Sequence, residues 1–398
     1  MSTKRYLILA MAAALVTTLS PTVVAQELPP EAKLVTIIPA TEPPCGVDVA
    51  DEGPPLYPMP RNSQWGYVTR DGEWAIEPRW AQAEPFSEGR AAVDNDGRWG
   101  VINREGNYVL EPVLRGSSNC SSSTGGCQSP LKPFSQGCST ANIQKDGSPH
   151  PFFVDRAGRF WLDDRLPEEL ADKDIWTFGR FSGGRVWFLA MGEKLKKTYG
   201  WIDKQGKVVL KDEFSGAGEF VDGRAPAASG GRNWAYIDTD GNPVLPRKWT
   251  FQGARPFSEG LAAAAPKNPN RWMYLSIEGA LVIQRVSLRV PRQALGKTVN
   301  EAEIESAGDF HDGLAPILPA MMFDAKELIY IHADGTEAFA PGSDLGLEVC
   351  NRLPEFRDGL VQLLVADEGA ECGGEGDTTH YVYLDTSGSI VLQEAGSE

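Results

Sequence analysis

Short apolar blocks alternate with polar, glycine-containing blocks along most of this chain. The stretch 199–210 is typical: Trp201–Asp203 reads as a strand, Lys204–Lys207 as a turn, and Val208–Leu210 as a second strand. Blocks of this length predict strands rather than helices. Gly206 can adopt the positive φ that a tight turn requires, so the pattern predicts a β-hairpin.

The hairpin pattern recurs eight times, with turn glycines 34 to 56 residues apart. Clear copies are Trp65–Gly72, Trp99–Gly106, Tyr199–Gly206 and Trp234–Gly241, and degenerate copies end at Gly158, Gly279, Gly335 and Gly388. Because the hairpin itself is similar in length in each copy, the insertions fall between the copies. This periodicity indicates a repeat architecture.

A second pattern, Phe-x-(Glu/Asp)-Gly, alternates with the first. Its copies are Phe86–Gly89, Phe220–Gly223, Phe257–Gly260, Phe310–Gly313 and Phe356–Gly359, with weaker ones at Phe134–Gly137 and Phe181–Gly184. We expect a tight turn whose Phe packs inward while the acid faces solvent. The apolar residues that follow, such as Leu261–Ala264, predict a third strand.

Each unit is thus a small meander that cannot bury its apolar face alone and must stack on its neighbours. The predicted fold class is all-β, with tandem hairpin or meander repeats. An open solenoid-like array is favoured over a seven- or eight-bladed β-propeller. The chain begins with a hairpin at Trp65 and ends with one at Gly388, so its two ends duplicate rather than complete one another.

The two patterns together resemble the WG-repeat family of bacterial proteins, whose units look like W-G-Y-I-D-x-x-G-K-x-V-I-P-P-x-Y followed by F-S-E-G-L-A. Residues 65–114 and 199–283 match well, and the resemblance extends over about 61–392. The other copies have lost the Trp-Gly pair. The resemblance implies the repeat fold and brings no catalytic residues with it.

The N-terminus has the features of a secretory signal peptide. Lys4 and Arg5 precede an apolar run of 14 residues, and Val23–Ala25 supplies small residues for cleavage after Ala25. The run is shorter than the roughly 20 residues of a membrane-spanning helix. The predicted organisation is a signal peptide (1–25), a Pro-rich extended tether (26–60), the repeat array (61–392) and a tail (393–398), in a periplasmic or secreted protein that does not insert in a membrane after cleavage.

Charge narrows the choice of partner. The formal net charge is −16, and it becomes −18 when the two basic residues of segment 1–25 are removed. A surface this acidic repels phosphate backbones and anionic lipid, so nucleic acid is not expected as a partner. The expected partner is another protein or a cell-envelope glycan.

Six cysteines follow the predicted cleavage site. An even number in an exported chain predicts disulfides. The sequence separations favour three pairs: Cys350 with Cys372, Cys120 with Cys127, and Cys45 with Cys138.

No catalytic, cofactor-binding or metal site is predicted. The four His residues lack ligand spacing, and the most regular carboxylates occupy equivalent turn positions, as expected of a structural rather than a catalytic role. The sequence therefore favours a non-catalytic binding or scaffold protein of the cell envelope. An envelope polysaccharide hydrolase using Asp155, Asp163 and Asp164 is the alternative.

Aromatic side chains outside the hairpin motif are the candidate binding residues, because aromatic faces stack on sugars or anchor protein contacts. They are Trp74, Trp80, Trp161, Trp176, Trp187 and Trp249. Packing in the core is the competing explanation for each of them.

Overall fold

The computed structural model describes residues 45–394, apart from 51–52, 117–128, 146–147, 162–169, 171–172, 193–195, 246–249, 269, 295–296, 321–326, 368–369, 371 and 373–377. The predicted signal peptide, most of the Pro-rich segment, the end of the tail and the predicted Cys120–Cys127 pair lie outside the described residues. The described residues contain one short helix, α1 (Pro341–Leu345). Among them, no helix has the length and apolar character needed to cross a membrane.

The remaining regular structure is β-strand and falls into eight units. Units 1 to 4 contain β1 (Tyr57–Arg61), β2 (Gln64–Val68) and β3 (Trp74–Trp80); β4 (Gln82–Ala83), β5 (Ala91–Asn95), β6 (Arg98–Ile102) and β7 (Tyr108–Arg115); β8 (Cys138–Lys145), β9 (Ser148–Asp155) and β10 (Phe160–Trp161); and β11 (Asp174–Phe178), β12 (Arg185–Met191), β13 (Lys197–Asp203) and β14 (Val208–Phe214). Units 5 to 8 contain β15 (Gly216–Ala217), β16 (Ala225–Ser229) and β17 (Asn233–Ile237); β18 (Phe251–Ala254), β19 (Leu261–Pro266), β20 (Met273–Ser276) and β21 (Leu281–Ile283); β22 (Arg285–Ala294), β23 (Lys297–Ala307), β24 (Leu314–Pro319), β25 (Ile329–His332) and β26 (Glu337–Phe339); and β27 (Leu360–Ala366), β28 (Thr379–Asp385) and β29 (Ile390–Gln393).

Within each unit, strands that follow one another in sequence pair antiparallel, as a meander does. Units 5 and 6 share one seven-stranded sheet, because β17 pairs with β18 at Trp234 and Phe251. The predicted all-β repeat fold is therefore confirmed.

The Phe-x-(Glu/Asp)-Gly pattern forms the tight turn that the sequence predicts. In unit 2, Glu88 and Gly89 both have positive φ, at 51° and 71°. Ser87 and Arg90 exchange two backbone hydrogen bonds of 2.8 and 3.0 Å across them. This is a two-residue hairpin loop, whose twist matches that of the flanking strands. The Phe of all seven turns is buried, between 1% and 6% exposed.

Burial falls from the turn outwards. In unit 2, the first four residues of β5, the strand after the turn, are buried on both faces, whereas β7 alternates between buried and exposed positions. Alanine dominates the strand after the turn in units 2, 5 and 6. Small side chains are needed there because neighbouring sheets converge on that strand.

The apolar core is divided into eight clusters, one between each pair of neighbouring units. Seven of them join units that are consecutive in sequence. The eighth joins unit 8 to unit 1 and contains Tyr57, Met59, Val68, Leu360, Tyr383 and Leu392. Eight units in an open array would have seven interfaces, so the eighth cluster closes the ring.

Contacts across this last interface are direct. The rings of Tyr57 and Tyr383 lie 5.6 Å apart, and those of Trp65 and Tyr381 lie 4.9 Å apart. The Tyr57 hydroxyl donates to the carbonyl of Asp358 at 2.7 Å. Among the described strands, none of unit 8 pairs with a strand of unit 1.

Of the two arrangements considered from the sequence, the structure has the closed, propeller-like one, and the open array is not observed. The terminal units are each complete, as the sequence indicates. The two complete units nevertheless pack against each other, because the apolar faces of units 1 and 8 bury each other without exchanging a strand.

Two of the three predicted disulfides are confirmed, Cys45–Cys138 and Cys350–Cys372. The first attaches the segment before β1 to unit 3. The same segment continues over units 3 and 2: the backbone N–H of Gly46 donates to the Gln136 carbonyl at 2.7 Å, and Arg104 donates to the carbonyl of Pro54. This part of the predicted tether therefore packs on the repeats.

Candidate functional site

The seven Phe turns lie next to one another around the centre of the ring. In three turns the residue after the Phe contacts the next turn: the hydroxyls of Ser135, Ser182 and Ser258 each donate, at 2.5 Å, to the Phe carbonyl of the following turn. In the last turn, Arg357 reaches back to the carbonyl of Phe86 at 3.5 Å. The turns therefore form a closed circle.

The repeated carboxylates at the turn also connect neighbouring units. Glu88 accepts a hydrogen bond from the backbone N–H of Gly137 at 2.8 Å, and Asp312 accepts one from Gly359 at 2.8 Å. Glu259 does the same with Gly313 at 3.0 Å. These side chains were expected to face solvent, and the structure uses them to order the next turn.

Tyrosines in β2, β17, β20 and β25 each fix the segment just before the next Phe turn. The hydroxyls of Tyr67, Tyr236, Tyr274 and Tyr330 donate at 2.7–2.9 Å to backbone carbonyls two residues before Phe86, Phe257, Phe310 and Phe356. A buried hydroxyl needs such a partner, and the carbonyl needs a donor. The two residues before each Phe are thereby held at the axis.

Those two positions contain most of the charged groups at the centre. They include Glu84, Lys132, Arg180, Glu219, Arg255, Asp309 and Glu355. The sequence gives no sign of their proximity, because they lie in seven different units, 2 to 8. The signal that could have found them is their shared position relative to the repeated Phe.

A cavity of about 560 Å³ lies among units 3 to 7. Residues of five units can surround one cavity only at the centre of the ring. Its walls are formed by Ser135, Arg180, Phe181, Ser182, Trp187, Ala217, Gly218, Glu219, Val221, Pro226, Trp234, Ala254, Arg255, Pro256, Phe257, Ser258, Glu259, Asp309 and His311. This volume lies within the range of pockets that hold small ligands.

One side of the cavity holds a tight ionic cluster. The Arg255 guanidinium contacts Asp309 through two nitrogens, at 2.6 and 3.0 Å, and Glu355 at 2.7 Å. Burial acts to lower the pKa of Arg255, but the hydrogen bonds and charge of Asp309, with the charge of Glu355, raise it above its ordinary value. His311 lies 3.6 Å from the other oxygen of Glu355.

Asp309, His311 and Glu355 are close enough to hold a metal ion, since their ligand atoms lie within 4.8 Å of one another. Arg255, however, already neutralises one of the two carboxylate charges and occupies three of their acceptor positions. A divalent ion there would lie beside a fixed positive charge.

On the opposite side of the cavity the charged groups form a longer ion pair. Arg180 is 45% exposed, and its one ion pair within the described residues is with Glu219, at 3.9 Å. Beside it, the Lys132 ammonium lies 4.7 Å from the centre of the Trp187 ring and donates to the Phe178 carbonyl at 2.5 Å. Burial lowers the pKa of Lys132 to about 8.

A family model for the WG containing repeat matches residues 65–99, 99–114, 199–232 and 234–265. These segments contain the four clear hairpins and the turns that follow three of them. The chain therefore contains WG repeats at these four positions.

Among solved structures, the chain is similar to the computationally designed protein Ika8, with 12% identity, a TM-score of 0.42, and coverage of 80% of this chain and 96% of that one. It is also similar to Sqt1 of Saccharomyces cerevisiae (11%, 0.42, 89% and 97%) and to the dihydro-heme d1 dehydrogenase NirN (12%, 0.44, 87% and 74%). No curated protein matches it in sequence.

The structure explains the glycine of the WG repeat. A Cβ atom at Gly66, Gly100 or Gly200 would lie 2.4–2.7 Å from a backbone carbonyl oxygen of the next strand, which is β3, β7 or β14 respectively. Each of these strands is bulged opposite the glycine and approaches it closely there. Unit 5 has Ala235 at this position, in β17, which pairs with β18 only at Trp234.

The predicted binding tryptophans do not form one surface. Trp187 lines the axial cavity, together with Trp234, which the sequence did not single out. Trp80 is 2% exposed and donates to the Tyr108 hydroxyl at 2.8 Å, so it belongs to the core and is not available to a partner.

The remaining predicted tryptophans lie elsewhere or are not described. Trp74 packs under the Arg61 guanidinium, at 4.7 Å. Trp176 donates to Asp174 at 2.8 Å. The side chain of Trp161 and the whole of Trp249 lie outside the described residues.

Two further sequence expectations can be placed. His311, one of the four His residues, lines the axial cavity. Asp155, a candidate hydrolase carboxylate, is 3% exposed and accepts hydrogen bonds from the backbone of Ala157 and Arg159 and from the Arg159 side chain. Its oxygens stabilise a hairpin turn. Asp163 and Asp164 lie outside the described residues.

Proposed function

We propose that this WG-repeat protein is a non-catalytic binding protein of the cell envelope, and that it takes part of a protein or glycan partner into the axial cavity. One observation supports this most strongly. The cavity is lined by Arg180, Trp187 and Trp234, polar and aromatic groups that the fold brings together from two units without pairing them tightly. Pockets of this composition are typical of ligand recognition.

The chemistry of the described carboxylates supports the non-catalytic part of the proposal. The repeated turn acids bind backbone N–H groups of the next unit, and Asp309 and Glu355 bind Arg255. A general acid or base needs a carboxyl group within reach of a substrate proton. Here the oxygens are already used in holding the ring together.

The location outside the cytoplasm rests on the signal-peptide features of residues 1–25 and is supported by Cys45–Cys138 and Cys350–Cys372, because structural disulfides persist in oxidising compartments. Fractionation of the native host tests this part. We expect the chain in the periplasmic or culture fraction, beginning at Gln26. Recovery with the cytoplasmic proteins would contradict it.

Binding is tested with immobilised panels of short peptides and cell-envelope glycans. The variant Arg180→Ala/Trp187→Ala removes the polar and aromatic groups of the cavity wall. A matched control, Arg232→Ala/Trp74→Ala, removes the same side-chain types from positions outside the cavity. We expect the wild type and the control to retain the same ligands and the cavity variant to lose them.

Two results would contradict the proposal: binding that the cavity variant retains in full, or no ligand retained from either panel. Turnover of an envelope polysaccharide by the purified chain would contradict its non-catalytic part and favour the hydrolase alternative.

A further inference from the structure

The wall of the axial cavity is divided by charge. On the side of units 4 and 5, Arg180 and Glu219 line the wall, and the Lys132 ammonium lies 4.7 Å from the ring of Trp187, which also lines it; these three charged groups together carry one net positive charge. On the side of units 6 to 8, Arg255, Asp309 and Glu259 line the wall, and Glu355 contacts Arg255; one positive charge against three carboxylates leaves two negative charges. The whole chain is strongly acidic, so a positive side in this cavity is a local feature.

The two sides differ in how firmly their charges are held. Asp309 and Glu355 are fixed by three hydrogen bonds to Arg255, so the negative side is preorganised and cannot turn away from a ligand. Arg180 is half-exposed and lies 3.9 Å from Glu219. A guanidinium held this loosely can form two hydrogen bonds to an incoming carboxylate.

Apolar surface lies between the charged sides. Trp187 of β12 and Trp234 of β17 line the cavity there, together with Pro226 and Pro256. These groups offer contact area to a ligand backbone or small side chain. They offer no further charge.

We propose that the cavity binds a small zwitterion of the amino-acid or short-peptide class. This rests on the proposed function and specifies its ligand. The ligand's carboxylate binds Arg180, and its ammonium group binds the Asp309–Glu355 side, next to His311. A ligand with only negative charge would meet the two carboxylates, and one with only positive charge would meet Arg180 and Lys132. A neutral sugar would gain nothing from the separation of charge.

Isothermal titration calorimetry at low ionic strength tests the proposal, with trialanine as the probe and the purified, disulfide-bonded chain. N-acetyl-trialanine lacks the ammonium group, and trialanine amide lacks the carboxylate. Maltotriose serves as a neutral ligand of similar size. A hydrogen bond between charged groups changes affinity by about tenfold to a hundredfold, so we expect each capped peptide to bind at least about tenfold more weakly than trialanine.

Variants assign each end of the ligand. Arg180→Gln should weaken binding of trialanine and bring its affinity to that of the amide. Asp309→Asn should bring the affinity for trialanine to that for N-acetyl-trialanine, and Glu355→Gln provides the same test if Asp309→Asn does not fold. Arg232→Gln removes an exposed arginine from the loop before β17 and should change no affinity.

Equal binding of capped and uncapped peptides would overturn the proposal, as would the absence of trialanine binding. Binding of maltotriose that is lost in Arg180→Ala/Trp187→Ala would overturn the zwitterion and leave the axial cavity as a binding site. These outcomes separate a failure of this inference from a failure of the proposed function.

Discussion

Closure of the ring can be tested through two tyrosines that are far apart in sequence. Tyr57 in unit 1 and Tyr383 in unit 8 are 5% and 3% exposed, and their rings lie 5.6 Å apart at an angle of 67°. Each hydroxyl donates to the other unit: Tyr57 to the carbonyl of Asp358, and Tyr383 to that of Pro58. We choose Tyr57→Leu and Tyr383→Leu, which retain apolar volume and remove both the ring pair and the hydroxyls.

Each single variant should lower the free energy of unfolding by about 1–3 kcal/mol, because it removes a hydrogen bond and an aromatic contact that cross the interface. An edge-to-face aromatic pair contributes about 0.5–1.5 kcal/mol beyond the area it buries. Once one ring is gone, the second substitution can no longer remove that pair. The double variant should therefore be less destabilised than the sum of the singles, by more than about 0.5 kcal/mol.

Urea unfolding followed by tryptophan fluorescence measures the four free energies of this cycle. Tyr57 and Tyr236 form the control pair, because they belong to units 1 and 5 and pack in different interface clusters. Their effects should add within about 0.3–0.5 kcal/mol. An interaction free energy for Tyr57 and Tyr383 no larger than that of the control pair would refute closure, since the two ends of an open array do not meet.

Three other predictions concern the repeat, the axis and the N-terminal segment. Gly100→Ala should lower the free energy of unfolding by about 1–3 kcal/mol, since its Cβ would lie 2.7 Å from the Leu110 carbonyl oxygen, and unchanged urea unfolding would contradict this. Lys132 has a folded-state pKa of about 8, below its ordinary value of 10.5, so the unfolded chain binds more protons than the folded chain between these two pH values. The free energy of unfolding should therefore rise with pH in this range, by up to about 1.4 kcal/mol per pH unit relative to the Lys132→Met variant. Parallel pH profiles of the two proteins would refute this prediction. The Cys45→Ala/Cys138→Ala variant loses a link across 93 residues and should unfold about 2–5 kcal/mol more easily by calorimetry, whereas an unchanged unfolding temperature would show that the link does not brace the fold.

The local structure of this chain follows from its sequence, because the information it needs lies within a few residues. A glycine with positive φ places each turn, as Gly206 does at 80°. The Phe of the second turn is the one large apolar residue there and is buried in each copy, as predicted. Two disulfides were also predicted correctly, because the isolation of Cys350 and Cys372 and the expected local pairing of Cys120 with Cys127 left Cys45 to pair with Cys138.

The ring and its axial cavity depend on how neighbouring units are oriented, which no short segment encodes. A small rotation repeated at each interface decides whether eight complete units form a line or return to the start, and the packing of whole sheets sets that rotation. Only when Tyr57 meets Tyr383 do the turns form a circle. Charged residues that precede the Phe in four different turns, Arg180, Glu219, Arg255 and Asp309, then line one cavity, and positions that vary between repeats become its opposite walls. The sequence by itself determines the hairpins and their turns, and the closed tertiary structure decides which side chains share the axis.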